Sequence, residues 1–326
     1  MKIRYCLGIV AFWLCAVQAL PIDKVVIWGY KLHSHTHSYI HDGFYKAFKA
    51  MGYKTYWLDD HDDISQFDFN RTLFLTMGDT ANIKMPIVSS SYYLLHNVNP
   101  RRYVDLYATG HALTFQVYIH NCKKSHQNLQ KIDECIYFSP SDKIVYMPWA
   151  TDLLPGQIDV AMKEVARNWR KSKSNDIFWI GTIWDGLHGN REQIMPFRRA
   201  AESQKIKFQH RMNIATDEHR QLIFKSYMAP AIVGKWQEEE GYIPCRIFKN
   251  ISYGQFGITN SETVYNLFDK KIVYNHDTRQ LFFDAHEKME KLELQDLLEL
   301  MNFVKNKHTY INRVELLLEC LGGIEK

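Results

Sequence analysis

The segment from Lys24 to Leu58 constrains the fold more than any other part of this 326-residue chain. KVVIW (24–28) is a short apolar run of strand character, and SYIHDGFYKAFKAM (38–51) sets Ile40, Phe44, Ala47 and Phe48 on one helical face. Gly52 supplies a helix end, and KTYWL (54–58) reads as a second strand. Two strands joined through a fourteen-residue helix pair in parallel, by a right-handed crossover. A chain that begins this way is an α/β protein whose sheet is covered on both faces.

The alternation continues. TLFLT (72–76), PIVS (86–89) and KIVYM (143–147) are further short apolar strands, and the acidic loop His61–Phe69 is solvated. Near Pro148 the pattern changes: a loop signature, Pro148 to Gly156, leads into a polar helix over 157–173. DIFWI (176–180) then opens a second series, with a helix over 191–203, a strand over 205–208 and the apolar segment Ala229–Val233. After Asp277 the chain reads as helical, with Leu292, Leu297, Leu298, Leu300 and Met301 as core candidates. The length exceeds one ordinary core. The reading is α/β: two Rossmann-like domains facing a cleft, an N-terminal one over 20–160 and a C-terminal one over 161–326 that carries the final helices.

Residues 1–19 stand apart. Lys2 and Arg4 precede the apolar run Tyr5–Ala19, and Val17 and Ala19 are the small residues of a signal-peptidase site. Fifteen apolar residues are short for a membrane span, so a cleaved leader is expected, with a retained signal anchor as the alternative. Export to the secretory lumen follows from either. Net charge is +4 without a long Lys/Arg block, which argues against a nucleic-acid partner. Cys122, Cys135, Cys245 and Cys320 lie beyond the leader with no C-x-x-C spacing. Cys122 and Cys135 either close a short loop or are separate thiols. Asn70-Arg71-Thr72 and Asn250-Ile251-Ser252 fit the N-glycosylation pattern, the second inside an expected helix.

The stretch EGYIPCRIFKNISYGQFGITNS (240–261) is the most informative for function. Ile247 and Ile251 recur at helical spacing, Gly254 ends the helix, and Phe256–Thr259 forms a buried strand. Small polar residues at the carboxyl end of such a strand mark ligand sites in α/β proteins. Pro244 and Arg246 bring free backbone N–H groups and a cation to the helix start, which is an anion site; an ordinary αβ unit with a surface arginine is the plainer alternative. Gly181-Thr182 at a strand end, followed by Arg191, repeats the arrangement.

These residues resemble those of GT-B glycosyltransferases, most closely the group 1 and spore-maturation CgeB-like proteins. Arg246-Ile247-Phe248 with Gly254, the strand ending Thr259-Asn260-Ser261, and Phe178–Thr182 with Gly189-Asn190-Arg191 carry the resemblance, and Tyr146–Asp152 resembles the crossover between domains. It covers about residues 140–280. The resemblance implies transfer of a sugar from a nucleotide-diphosphate sugar to a hydroxyl on a carbohydrate or glycoconjugate acceptor. It implies Arg191 and Arg246 on the diphosphate, Thr182 and Ser261 hydrogen-bonded to it, and Gly181, Asn260 and Glu262 in the same donor pocket. Relatives often hold an acid just after the Arg-Ile-Phe triplet, where this chain has Lys249, and Glu240 or Glu262 would have to substitute. No metal and no cofactor beyond the donor is implied. A non-catalytic sugar-binding protein of the same fold is an alternative.

KLHSHTHSYIH (31–41) is the second constellation. His33, His35 and His37 alternate, and His37 and His41 lie one helical turn apart, a spacing that can bind zinc and echoes metal-dependent hydrolases of the PHP and amidohydrolase type. Such a site needs further ligands, and His96, His111 and His120 are scattered. In the glycosyltransferase reading this loop faces the donor, and His37, then His35, is the candidate general base. Trp236 or Tyr242 would stack on the nucleotide base or fill the core. The block 307–313 is placed to brace the two domains.

Overall fold

The structure is a computed structural model, which describes residues 20–171 and 173–324. The expected leader or signal anchor, residues 1–19, therefore lies outside the described residues. The N-terminal half comprises β1 (Lys24–Trp28), α1 (Ser38–Ala50), β2 (Thr55–Leu58), β3 (Thr72–Met77), β4 (Tyr92–His96), α2 (Val104–Ala108), β5 (Ala112–Gln116), α3 (Ile119–Ser125), β6 (Gln130–Asp133), β7 (Ile136–Ser139) and β8 (Ile144–Tyr146). They form one sheet in the order β2-β1-β3-β4-β5-β8-β7-β6. From β2 through β8 neighbouring strands are parallel; β7 and β6 fold back antiparallel on the far edge.

Period-two alternation explains why these strands are apolar throughout. Val25 and Ile27 point into a cluster with Leu73, Leu75, Leu94 and the buried face of α1, while Val26 and Trp28 point the other way, among Phe74, Tyr93 and Leu95. The expected strand 86–89 is not one. Pro86 removes a ladder donor, the segment is an irregular turn, and the buried run Tyr92–His96 takes the place in the sheet.

The C-terminal half comprises α4 (Pro155–Asn168), β9 (Asp176–Ile180), α5 (Arg191–Ser203), β10 (Lys207–Arg211), α6 (Thr216–Lys225), α7 (Lys235–Glu239), α8 (Cys245–Ser252), β11 (Ile258–Thr259), α9 (Glu262–Leu267), β12 (Val273–Tyr274), α10 (Thr278–Lys291), α11 (Leu294–Lys307) and α12 (Tyr310–Ile324). β10 pairs with β9 and β11 with β12, all in parallel. The segment 226–233 lies between the two pairs. Tyr227 N–H donates to Asp176 on β9, and Ala231 N–H donates to Ile258 on β11. Both halves thus share one strand order: the second strand outside the first, and the later ones added on the first strand's other side.

Two crossings join the halves at one place. The chain passes from β8 to α4 through 147–154, and α12 returns to pack on α1, where a Cβ on Gly43 would sit 2.3 Å from the Tyr310 ring. Arg313, fully buried, binds the two crossings together: its guanidinium donates to the carbonyls of Pro148 (2.7 Å) and Trp149 (3.1 Å), and Thr151 N–H donates to His308.

Candidate functional site

A cleft lies between the carboxyl ends of the two sheets. On the C-terminal side its centre is α8. Gly254 closes the helix at φ +89°, as the sequence pattern requires, whereas Pro244, expected in the first turn, is the extended residue just before it. Ile247, Phe248 and Ile251 bury one face, and Arg246 and Lys249, one turn apart, carry its charge.

Arg246 reaches the end of β9. Its guanidinium lies 3.9 Å from the Trp179 ring centroid, and Nη1 donates to the Ile180 carbonyl at 2.6 Å. Gly181 makes room for it: a Cβ there would stand 2.8 Å from Nη2, and the glycine holds φ +120°. Burial lowers the Arg246 pKa to about 10, which leaves it charged at neutral pH. No carboxylate lies within 4.0 Å of it among the described residues. Arg246 is a half-sunk cation without a counter-ion, and such a group is costly unless an anion completes it.

Lys249 is in the opposite state. Its ammonium is 3.1 Å from Asp152 Oδ2, both side chains are buried, and Tyr253 donates to Asp152 Oδ1 at 2.6 Å. Burial alone would drive the Lys249 pKa down, but Asp152 outweighs it and holds the pKa above its ordinary value. Asp152, buried likewise, is held below the usual carboxylate range by Lys249 and Tyr253. Lys249 also lies 5.8 Å from the Tyr39 ring of α1, so the pair sits where the halves meet.

The other donor-pocket residues divide between the cleft and the framework. Gly181 and Arg246 are in contact. Thr182 is half-buried beside them, its carbonyl accepting from Asn190 at 3.4 Å. Arg191 starts α5 but its charge is engaged by Asp185 at 3.2 Å on the exposed loop. Asn260 is fully buried and clasps Val233 through both its amide groups, at 2.9 and 3.1 Å. Ser261 is buried and caps α9 through Val264 N–H, and Glu262 is exposed on the first turn. Thus Asn260 and Ser261 shape the wall rather than offer free side chains. Glu240 has its Oε2 buried without a hydrogen-bond partner, and Tyr118, which the sequence pattern does not mark, faces it from the N-terminal half, its phenol pKa raised by burial and further by the Glu240 carboxylate. Trp236 packs edge-on against both Tyr118 (5.0 Å) and His188 (4.2 Å).

Across the cleft the loop after β1 gathers its histidines around Tyr30. Tyr30 stacks on His35 at 4.3 Å, His35 meets His37 edge-on at 4.9 Å, and His37 lies 5.9 Å from His96. His41 holds the Gly29 carbonyl and His96 the Phe115 carbonyl, each at 2.8 Å, so each Nδ1 carries the hydrogen. Burial lowers His37 to about 4, with a smaller contribution from His35; it lowers His41 to about 3 and His96 to about 4. His33 lies apart, against Tyr39. No group of three His, Cys, Asp or Glu side chains that could hold a metal occurs among the described residues, so the hydrolase reading lacks a ligand set.

Cys135, Cys245 and Cys320 are free thiols, so Cys122 and Cys135 do not close a loop. Asn70 is exposed, whereas Asn250 is buried in α8 and bound to the Ala229 carbonyl. Two cavities of about 430 and 440 Å³ lie away from Arg246 and His37. One is at the amino ends of β11 and β12, lined by Phe256, Lys288 and Phe303; the other is on the seam between the halves, at His120, Cys135 and Thr263.

This arrangement has relatives among solved structures. An alpha-glucosyltransferase in complex with UDP aligns with a TM-score of 0.53 at 11% identity, over 90% of this chain and 98% of that one. The alpha-glucosyltransferase with UDP and a 13-mer DNA containing a HMU base aligns at 0.55 and 10% identity, with the same coverage. T4 phage BGT with its UDP-glucose substrate aligns at 0.50 and 11%, again over 90% and 98%. The fold is GT-B. The likeness covers 90% of this chain, well beyond the 140–280 segment that carries the sequence resemblance. No protein-family model matches the sequence, and no curated protein matches it.

Proposed function

We propose that this chain is a glycosyltransferase that moves a sugar from a nucleoside-diphosphate sugar to a hydroxyl acceptor. The observation that carries the reading is Arg246: a charged guanidinium at the cleft, packed on Trp179 over Gly181, with no carboxylate partner among the described residues. A diphosphate supplies the missing negative charge and accepts two parallel hydrogen bonds from one guanidinium. The GT-B neighbours, complexes with UDP and with UDP-glucose, support the same class of donor. On the acceptor side, His37 is neutral at pH 7 and able to accept a hydrogen bond from the attacking hydroxyl, but at about 4 it is a weak proton acceptor. A carbohydrate or glycoconjugate is the favoured acceptor. One neighbour is a complex with DNA, but here Lys31 of the histidine loop is already paired with Asp62 at 2.8 Å, and the adjoining Asp59, Asp60 and Asp63 leave an acidic excess that repels a polyanion. The export route rests on the leader alone; no helix among the described residues is long and apolar enough to cross a membrane.

Calorimetric titration with UDP and UDP-glucose tests the reading. Wild type binds, and Arg246→Ala weakens binding by roughly ten- to a hundredfold, the range for a charge-assisted hydrogen bond. Undiminished binding by Arg246→Ala would remove the central support.

A further inference from the structure

We propose that His120 is a positioning residue, which locks the two C-terminal walls of the diphosphate pocket to each other and to the N-terminal half; the inference rests on the nucleoside-diphosphate reading above. His120 belongs to the N-terminal half, two residues past the bridge between Tyr118 and Tyr242, yet it makes three hydrogen bonds to the other half. Its backbone N–H donates to the Glu240 carbonyl at 3.1 Å. Its Nδ1 is 2.9 Å from the Glu239 carbonyl and its Nε2 is 3.2 Å from Thr263 Oγ1. A carbonyl only accepts, so Nδ1 carries the hydrogen; in the neutral ring Nε2 is then the acceptor, and the Thr263 hydroxyl donates to it.

The two partners belong to different parts of the pocket. Glu239 and Glu240 end α7 and lead through Pro244 into Arg246, whereas Thr263 stands on the first turn of α9, just after Asn260 and Ser261. These elements are short, five residues for α7, six for α9 and two for β11, so they hold few internal hydrogen bonds. An outside brace therefore decides how they lie. The chain is shaped to admit the ring: Gly241 adopts φ +69°, and a Cβ there would come within 2.5 Å of His120 Cδ2. Beside it, Ile119 is buried among the apolar residues of the C-terminal half, including Ile243, Ile247 and Leu267.

The test measures UDP affinity and melting temperature together for wild type, His120→Ala, His120→Asn and Thr263→Val. The expected result is about tenfold weaker UDP binding by His120→Ala, from the loss of two neutral hydrogen bonds. Thr263→Val loses about threefold, and His120→Asn, which keeps an N–H donor near the Nδ1 position, recovers part of the loss. Melting temperatures stay close to wild type. If UDP binds wild type and all three variants equally, the positioning role is wrong and the nucleotide reading stands. If affinity falls only in step with melting temperature and His120→Asn recovers nothing, His120 is ordinary folding contact and the proposal is overturned. If wild type binds no UDP, the nucleotide reading itself fails, and this inference with it.

Discussion

The two sides of the cleft solve the burial of ionisable groups in opposite ways. On the N-terminal side, His37 and His41 pack around Tyr30, His96 lies against His37, and all three are held neutral by burial, so no imidazole charge has to be balanced. On the C-terminal side α8 keeps two cations. One is balanced internally by Asp152; the other, Arg246, is left open. A neutral wall suits an uncharged polyol, and an open cation suits a phosphate. On the glycosyltransferase reading proposed above, the contrast divides acceptor from donor without reference to any single catalytic group.

The internal pair is where the comparison breaks most visibly. Lys249→Met leaves the Asp152 carboxylate buried against Tyr253 without its cation, and the expected cost is about 3–5 kcal/mol of stability by chemical denaturation. Adding Asp152→Asn to Lys249→Met should recover much of that, because the uncompensated charge is gone. A single variant as stable as wild type would mean that the pair is solvated in solution. Arg246→Ala should behave in reverse: nucleotide affinity falls by about 1.5–3 kcal/mol while stability changes little, since no carboxylate is stranded. Gly181→Ala comes next, because its Cβ displaces the guanidinium and its φ of +120° strains any L side chain. An expected cost of about 1–3 kcal/mol in stability, with weaker UDP binding, separates it from an open-loop glycine.

Much of this was legible in the sequence, and the unread part has physical causes. β1 and α5 fall at their expected bounds, and α1, β2, β3 and α8 within a residue or two, because each couples a strong period to a stop signal such as Gly52 or Gly254. β4 and β5 were not read. YYLLH is a central strand buried on both faces, without alternation, while ALTFQ alternates Leu113 and Phe115 with half-buried Thr114 and Gln116 over too few residues to stand out. At the site, the pattern marked Arg246 and Gly181 as belonging to one anion pocket, and the fold puts them in contact. It gave no sign that Asp152 neutralises Lys249, 97 positions away, or that Asn260 spends its amide on Val233. Charge balance depends on tertiary neighbours, so residue type alone marks a candidate and not its state. His120 illustrates the same limit, since nothing local distinguishes it from His111.

Acid sharpens the comparison from the neutral side. His37, His41 and His96 have folded pKa values of about 4, 3 and 4, below the ordinary 6.5, and His219 of the C-terminal half is likewise lowered to about 3. Between pH 6.5 and about 4 the unfolded chain binds more protons than the folded one, so stability rises with pH across that window and falls on acidification. Each such histidine contributes a slope of about 1.4 kcal/mol per pH unit there. Denaturation curves at stepped pH should show the slope, and His96→Asn, which can still donate to the Phe115 carbonyl, should reduce it by one histidine's share. Carboxylates such as Asp152 act lower, below their ordinary value near 4, and so do not imitate the upper part of the window.

The smallest effect belongs to His37. If it were the general base, its removal would cost 10²–10⁴ in turnover and leave nucleotide binding alone. The environment argues for less. Among the described residues no carboxylate hydrogen-bonds its ring, its nearest titratable neighbours are other imidazoles, and its buried Nδ1 has no partner. An imidazolium formed there would meet the same desolvation that lowers it to about 4. His37→Asn, once an acceptor is in hand, should therefore reduce turnover by about tenfold or less, chiefly through a weaker hold on the acceptor hydroxyl and with UDP affinity unchanged. A loss of a thousandfold would show that substrate binding supplies the missing counter-charge, and the neutral wall would then be neutral only in the empty cleft.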